Sequence, residues 1–372
     1  MRSFSAKAFS YARLIASSVT CLAAVTPTTT ATSETTAPTS TSAAGTQHSS
    51  TTGTMSYNLH GPNPPPMLSA AAKTKEKKTL RLTYPSWQGG TLPLYHFGSQ
   101  LLTALAPPTN GPVAQVTVTP PELTPLPLKK TKGINALPEN VATMESAIAV
   151  CKQHNPDNIV VLGGDCFAEL GPFSYLADKY KKEKFGLLWL DAHPDVLNSK
   201  DWCNAHTYPV GALMGKGDKE FVELVKSPIP GSRVMVAGMH HPSKRDQRHI
   251  DDYGVRVCGP DSIVNNGAAE VLKWIKDEGI THLAIHLDLD VLSDKYFRML
   301  YFSDPDAPEG AHKGVPRGQL RFKHVTSLLK AVSAKTQVVG FGITELLPWD
   351  VYNFREFLKE LPLVNPNYAA KL

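Results

Sequence analysis

The 372-residue sequence predicts an α/β fold: a single three-layer α-β-α domain over residues 78–372, built on a mainly parallel sheet. Two observations carry this. Short runs rich in β-branched and large apolar residues alternate with helical patterns, the order that right-handed βαβ crossovers require. The runs are also apolar at successive positions rather than at every second one, as strands covered by helices on both faces must be. In chain order they are LRLTY (80–84), NIVVLGGD (158–165), FGLLWLDAH (185–193), RVMVAG (233–238), THLAIHLDLD (281–290) and TQVVGFGITE (336–345). Helical patterns fall between and after them, near 139–153, 172–182, 218–226, 268–278, 318–332 and 351–360. There is no internal repeat.

Before Lys78 the texture differs. Residues 1–25 combine Arg2, Lys7 and Arg13 with the apolar stretch LIASSVTCLAAV, and the first acid is Glu34. That pattern suits a secretory signal or a mitochondrial transit peptide, and Met55 is an alternative start. Residues 26–54 hold thirteen Thr and five Ser in 29 positions. Such a tract buries too little apolar surface to offset the entropy of ordering it, so residues 1–77 are expected to be a disordered or targeting leader with a Pro-rich linker. Residues 1–79 carry seven Lys/Arg against two acids, which accounts for the whole net charge of +5. The remaining chain is formally neutral, so its charge gives no reason to expect a nucleic-acid partner. No run of eighteen apolar residues occurs, and no membrane span is expected. Five scattered cysteines, an odd number, read as free thiols of a reducing compartment.

Three of the predicted strands end in carboxylates. VVLGGD ends at Asp165 with Cys166 next, LLWLDAHPD ends with Asp191, His193 and Asp195, and LAIHLDLD ends with Asp288 and Asp290. Sites in open parallel sheets lie beyond the carboxyl ends of the strands. Residues at i, i+2 and i+4 of an extended segment share a face, so Asp191, His193 and Asp195 are expected to point together, as are Asp288 and Asp290. One DxD at a strand end is commonly turn chemistry or a helix cap. Two such clusters converging would repel strongly without cations between them. Oxygen ligands with one imidazole suit Mn²⁺, and less well Zn²⁺ or Fe²⁺.

LGGDC, DAHPD and HLDLD, in that order, resemble the successive metal-ligand motifs GGDH, DAHxD and SFDxDxxDP of the arginase/agmatinase (ureohydrolase) family. The resemblance covers about residues 80–360. It marks a divergent subgroup with GGDC in place of GGDH. NAHTYPVGALMG (204–215) is similar to the family loop whose histidine shuttles protons, which nominates His206. ITELLP resembles the strand end whose glutamate faces the substrate guanidinium, which nominates Glu345.

The resemblance implies an arginase-like metallohydrolase that cleaves a guanidino or amidine C–N bond, releasing urea or an analogue. It implies two Mn²⁺ per subunit, a small guanidino or amidine substrate and a homo-oligomer. Asp191 and Asp288 would bridge the ions, with Cys166 and Asp195 completing one side and His193 and Asp290 the other. Asp290, Glu345 and His206 would respectively orient the nucleophile, hold the cationic substrate and protonate the leaving amine. Cys166 departs from the pattern: a thiolate prefers Zn²⁺ to Mn²⁺, and a cysteine there is equally an inert packing residue. The Ser/Asn-rich loop that holds the amino-acid end of arginine is not recognisable between Asp195 and His206, so L-arginine itself is not implied. Two other readings stay open: a mononuclear Zn²⁺ amidohydrolase of deacetylase-like type using Asp191, His193 and Asp288, and a catalytically silent member with a regulatory or partner role. The final Ala370, Lys371 and Leu372 resemble the S-K-L address of peroxisomes and glycosomes, with mitochondrion or cytoplasm as the alternatives. Loss of punctate signal when these three residues are deleted from a fluorescent fusion is the test.

Overall fold

The computed structural model describes residues 77–359 and 361. The leader expected over 1–77 (apart from Lys77) and the AKL tail lie outside the described residues. The described strands are β1 (Thr79–Tyr84), β2 (Val113–Gln115), β3 (Lys130–Thr131), β4 (Ile134–Asn135), β5 (Asn158–Gly163), β6 (Phe185–Leu190), β7 (Val234–Ala237), β8 (Arg256–Cys258), β9 (His282–Asp288) and β10 (Gln337–Thr344). Eight of them form one sheet in the order β2-β1-β5-β10-β9-β6-β7-β8, with every neighbouring pair parallel. β3 and β4 make a separate antiparallel pair. The mainly parallel α/β sheet expected from the alternation is therefore present, and all six predicted apolar runs are strands.

The helices are α1 (Leu94–Leu105), α2 (Leu137–His154), α3 (Leu170–Lys179), α4 (Pro209–Leu213), α5 (Lys219–Val222), α6 (Lys244–Tyr253), α7 (Pro260–Asn266), α8 (Ala269–Asp277), α9 (Phe322–Ser333) and α10 (Trp349–Leu358). Side-chain alternation divides them between two faces. Leu187 and Trp189 of β6, with Val234 and Val236 of β7, pack in one cluster with α2, α3 and α4. Leu188, Leu190, Met235 and Ala237 pack in the other with α7, α8 and α9. Both faces are covered, so both parities are apolar, which is why these strands read as continuous hydrophobic runs. Among the described residues no helix is long and apolar enough to cross a membrane, and Cys151, Cys166, Cys203 and Cys258 are free thiols.

The helix expected over 218–226 shrinks to the single turn of α5. Phe221, Val225 and Ile229 are buried at a helix-like spacing of four, but Pro228 and Pro230 keep the second half of that stretch out of a helix. α1, α4, α6 and α7, the β3–β4 pair and the edge strands β2 and β8 were not anticipated. α6 buries only His249 and Ile250, too few positions to show a period.

The connection from β5 to β6 skips two places in the sheet, and β10 and β9 later fill the gap. The four central strands β5-β10-β9-β6 thus bring their carboxyl ends together at a reversal of strand order, where open α/β sheets form their sites.

Candidate metal centre

Beyond β5, the GGDC motif turns sharply because two glycines let backbones meet. A Cβ on Gly163 would collide with Ala168 and Thr344, and one on Gly164 with the Ser86 carbonyl. Gly164→Ala is accordingly expected to cost about 1–3 kcal/mol as overpacking, read as a lower urea midpoint at unchanged slope; an unchanged midpoint would show that the Ser86 loop yields freely. Asp165 belongs to neither group of candidate ligand atoms and accepts hydrogen bonds from Ser86 Oγ (2.7 Å) and the Gly90 amide (2.7 Å). Cys166 faces the carboxylates of Asp288 and Glu345. Its Sγ donates to Asp288 Oδ2 at 3.0 Å and lies 3.6 Å from both Thr344 Oγ1 and Glu345 Oε1.

The DAHPD segment does not run on as a strand. β6 stops at Leu190, Pro194 follows His193, and Asp195 sits in the left-handed region at φ +48°. The shared extended face expected for Asp191, His193 and Asp195 is therefore replaced by a turn. Asp191 accepts from the His193 amide (2.6 Å) and from Trp189 Nε1 (2.9 Å). His193 Nδ1 stands 3.1 Å from Asp290 Oδ2. At the end of β9 the chain turns as well: Asp288 Oδ1 accepts from the Asp290 amide at 2.6 Å, at the start of a short 3-10 turn.

Two groups of ligand atoms result, each with all members within 4.8 Å of one another: Cys166, Asp191, His286 and Asp288, and Asp191, His193 and Asp290. Bonds of about 2.0–2.3 Å to a shared cation place donors at most about 4.6 Å apart, so small side-chain shifts bring either group to the spacing an ion sets. Asp191 belongs to both groups. Asp195 stands outside both, although its buried carboxylate is close enough to feel the charges of Asp191, His286 and His193. His193 Nε2, Asp195 Oδ2, His286 Nε2 and Asp290 Oδ1 are buried with no hydrogen-bond partner. Uncompensated atoms of this kind are costly, and a cation is the partner that fits a thiol, carboxylates and imidazoles together. The first group is closed off, with Cys166, Asp191, His286 and Asp288 at most 2% exposed. The second is open on one side, where the His193 side chain is 29% exposed.

The crowding of acids shows in their protonation. Burial pushes the Cys166 thiol and the Asp288 carboxyl well up, and neighbouring carboxylates add to it. Burial opposes charge on Asp191 too, but the imidazoles of His193 and His286 beside it hold it below the ordinary carboxylate range. For His193 burial is outweighed by the carboxylates of Asp290 and Asp191, and its affinity for a proton rises. The cation-free cluster therefore carries protons that a metal must displace. Metal affinity is expected to weaken as pH falls from about 8 to about 6, with proton release on binding. Titration calorimetry in buffers of different ionisation enthalpy measures that release, and equal affinity at both pH values would refute it.

Glu345, just past β10, has φ +63° and is held there by its amide, which donates to Gly164 O at 2.7 Å. Burial pushes its carboxyl well up, against a hydrogen bond from Tyr95, while Asp290, Asp165 and Asp195 raise it further. His206 lies in a short 3-10 turn. Its Nδ1 is 3.0 Å from the Gly89 carbonyl, which only accepts, so Nδ1 carries the hydrogen and Nε2 the lone pair. Burial lowers its proton affinity, partly offset by the Gly89 bond and the nearby Asp165.

The sequence profile described as "Arginase family" matches residues 122–351, well over half of the chain. The chain belongs to the arginase family. An arginase of Staphylococcus aureus (strain MRSA252) is 28% identical over 219 residues, which span 57% of this chain and 68% of that protein. Among solved structures, the Entamoeba histolytica arginase in complex with L-ornithine superposes with a TM-score of 0.61 at 16% identity, covering 73% of this chain and 91% of that one. The formimidoylglutamase of Bacillus subtilis gives a TM-score of 0.54 at 14% identity, covering 74% of this chain and 81% of that one. At these identities the superpositions speak for the arginase-like fold. Membership places the chain among hydrolases acting on amidino and guanidino C–N bonds.

Two members of the arrangement escaped the sequence reading. His286 sits inside β9 at the position two before Asp288, where the SFDxD pattern has serine. Glu169 lies in the short 3-10 turn after Cys166. His286 had a signal, since i, i+2 and i+4 spacing puts it on the face of Asp288. Glu169 had none.

Proposed function

We propose that this arginase-family protein is a metal-dependent hydrolase of a guanidino or amidine C–N bond, releasing urea or an analogue. The observation that supports this most directly is the convergence of Asp191, Asp288, Asp290 and His193 beyond β6 and β9, with unpartnered donor atoms on His193 and Asp290. Asp191, His193 and Asp290 would hold one cation and Cys166, Asp191 and Asp288 another. Bound there, divalent ions supply Lewis acidity and make water a nucleophile at neutral pH.

The protein's own groups do the rest. Substrate enters from the exposed His193 side. Glu345, surrounded by other acids, favours a cationic guanidinium over a neutral ligand. Asp290 Oδ1 accepts a hydrogen bond from the attacking water and orients it. His206, neutral with its Nε2 lone pair free, takes up a proton and returns it to the leaving amine. Water thus adds to the central carbon, the C–N bond breaks, and an amine departs with the returned proton. The test is urea release from a panel of guanidino compounds, using protein stripped of metal and reloaded with Mn²⁺ or Zn²⁺. Metal-dependent release from one compound class is expected; no release from any loaded form would reject the reading.

A further inference from the structure

The inner ligand group contains an imidazole from the middle of a strand, and the packing around that residue is specialised. Trp189, His286 and Gly342 are direct neighbours across β6, β9 and β10. The Trp189 ring lies flat on the His286 ring, with centroids 3.5 Å apart and planes 11° from parallel. On the other side Gly342 has no side chain, and a Cβ there would occupy the space taken by the Glu169 carboxylate. Glu169 fills that gap and accepts the hydrogen bond of His286 Nδ1. Both side chains are fully buried. One imidazole face is thus stacked, Nδ1–H is anchored, and Nε2 is left 3.6 Å from Asp191 Oδ2 with no hydrogen-bond partner.

We infer that His286 Nε2 is a metal ligand of this chain, completing a closed Cys166–Asp191–His286–Asp288 position of Zn²⁺ type, with Glu169 fixing its tautomer. A carboxylate on the far nitrogen is the usual device for orienting a ligating histidine and raising its basicity. Thiolate and imidazole shift preference from Mn²⁺ toward Zn²⁺. Four protein donors saturate a tetrahedral ion and make a holding site, whereas catalytic positions keep a place open. The outer group of Asp191, His193 and Asp290 has only three donors and the exposed histidine, so reaction belongs there. The chain lacks a histidine at 166 and supplies one from 286 instead. The alternative role of His286 is a buried ion-pair partner of Glu169 and Asp191 that touches no metal.

This inference rests on the metal reading above, and its test separates the two. His193→Ala removes the outer imidazole and leaves the buried Trp189–His286–Glu169 packing untouched. Loaded with Zn²⁺, that variant should keep one ion per chain, and X-ray absorption should show one sulfur and one imidazole around it. Loaded with Co²⁺, it should show a thiolate-to-metal charge-transfer band in the near ultraviolet. Glu169→Gln should weaken Co²⁺ binding about 10–100-fold while the band persists at saturation. An ion retained without imidazole scattering, or without sulfur, overturns the inference and leaves the metal reading standing. Absence of any bound ion in both the unsubstituted chain and the variant overturns both.

Discussion

Asp191→Ala is expected to empty both ligand groups and to remove metal-dependent turnover by at least about 10³-fold, since a cation's stabilisation of the reacting charges amounts to several kcal/mol. No other residue belongs to both groups. It also leaves two histidines, His286 fully buried and His193 part-exposed, facing an absent carboxylate, since His193 Nδ1 and His286 Nε2 stand 3.5 and 3.6 Å from its oxygens. Breaking a buried ion pair from one side costs about 3–5 kcal/mol, so the variant should also melt lower without metal. The sign with pH follows from its depressed folded pKa. The stability Asp191 contributes is present above the unfolded carboxylate value and is lost only as pH falls below that value, through the folded one. The measurements are metal content after dialysis and melting temperature with and without Mn²⁺ or Zn²⁺. The unsubstituted protein should gain stability on loading and the variant should not. Equal metal content in the two proteins would remove Asp191 from the centre.

Glu345→Gln is expected to lower kcat/KM for a cationic guanidino substrate by about 10²-fold or more, because removing one charge from a buried charged pair costs about 2–5 kcal/mol. Glutamine keeps the size and can still accept from Tyr95, and the amide anchor to Gly164 O is unaffected. The loss therefore reports charge rather than collapse of the strand end. Tyr95→Phe should act in the same direction but more weakly, since it removes only one orienting hydrogen bond. Unchanged KM and kcat in Glu345→Gln would mean that the glutamate holds the left-handed turn and nothing else. Metal content should be unchanged, which separates this effect from that of Asp191→Ala.

Much of the fold was legible because a strand covered on both faces has to be apolar at every position. β5, β6, β7, β9 and β10 all announce themselves in this way. Their ends were legible for a related reason: one DxD after a buried run is ordinary turn chemistry, but two such clusters converging repel unless a cation lies between them. Asp191, His193, Asp288 and Asp290 could therefore be nominated from spacing and motif alone, with Cys166 marking a departure from the family pattern. The segments that escaped notice have weak local patterns. α6 is almost wholly polar, and its one sequence signal was the Ser243–Asp246 capping box that the structure shows in full.

By itself, the sequence determined the layer architecture, the strand ends that carry acids, and the family. It also determined that the chain lacks a histidine at 166. Tertiary structure alone decided the strand order, which inserts β10 and β9 between β5 and β6, because that order comes from long-range packing that no local pattern records. From it follow the stacking of Trp189 on His286, the gap over Gly342, and the arrival in that gap of Glu169, 117 residues away from His286. It decided, too, that Asp195 turns away from the extended course of its motif, since Pro194 and a positive φ redirect the backbone. A motif specifies which donors are near a strand end; only the packed sheet specifies which of them stand close enough to share an ion, because donor spacing is set by neighbouring strands rather than by neighbours in sequence.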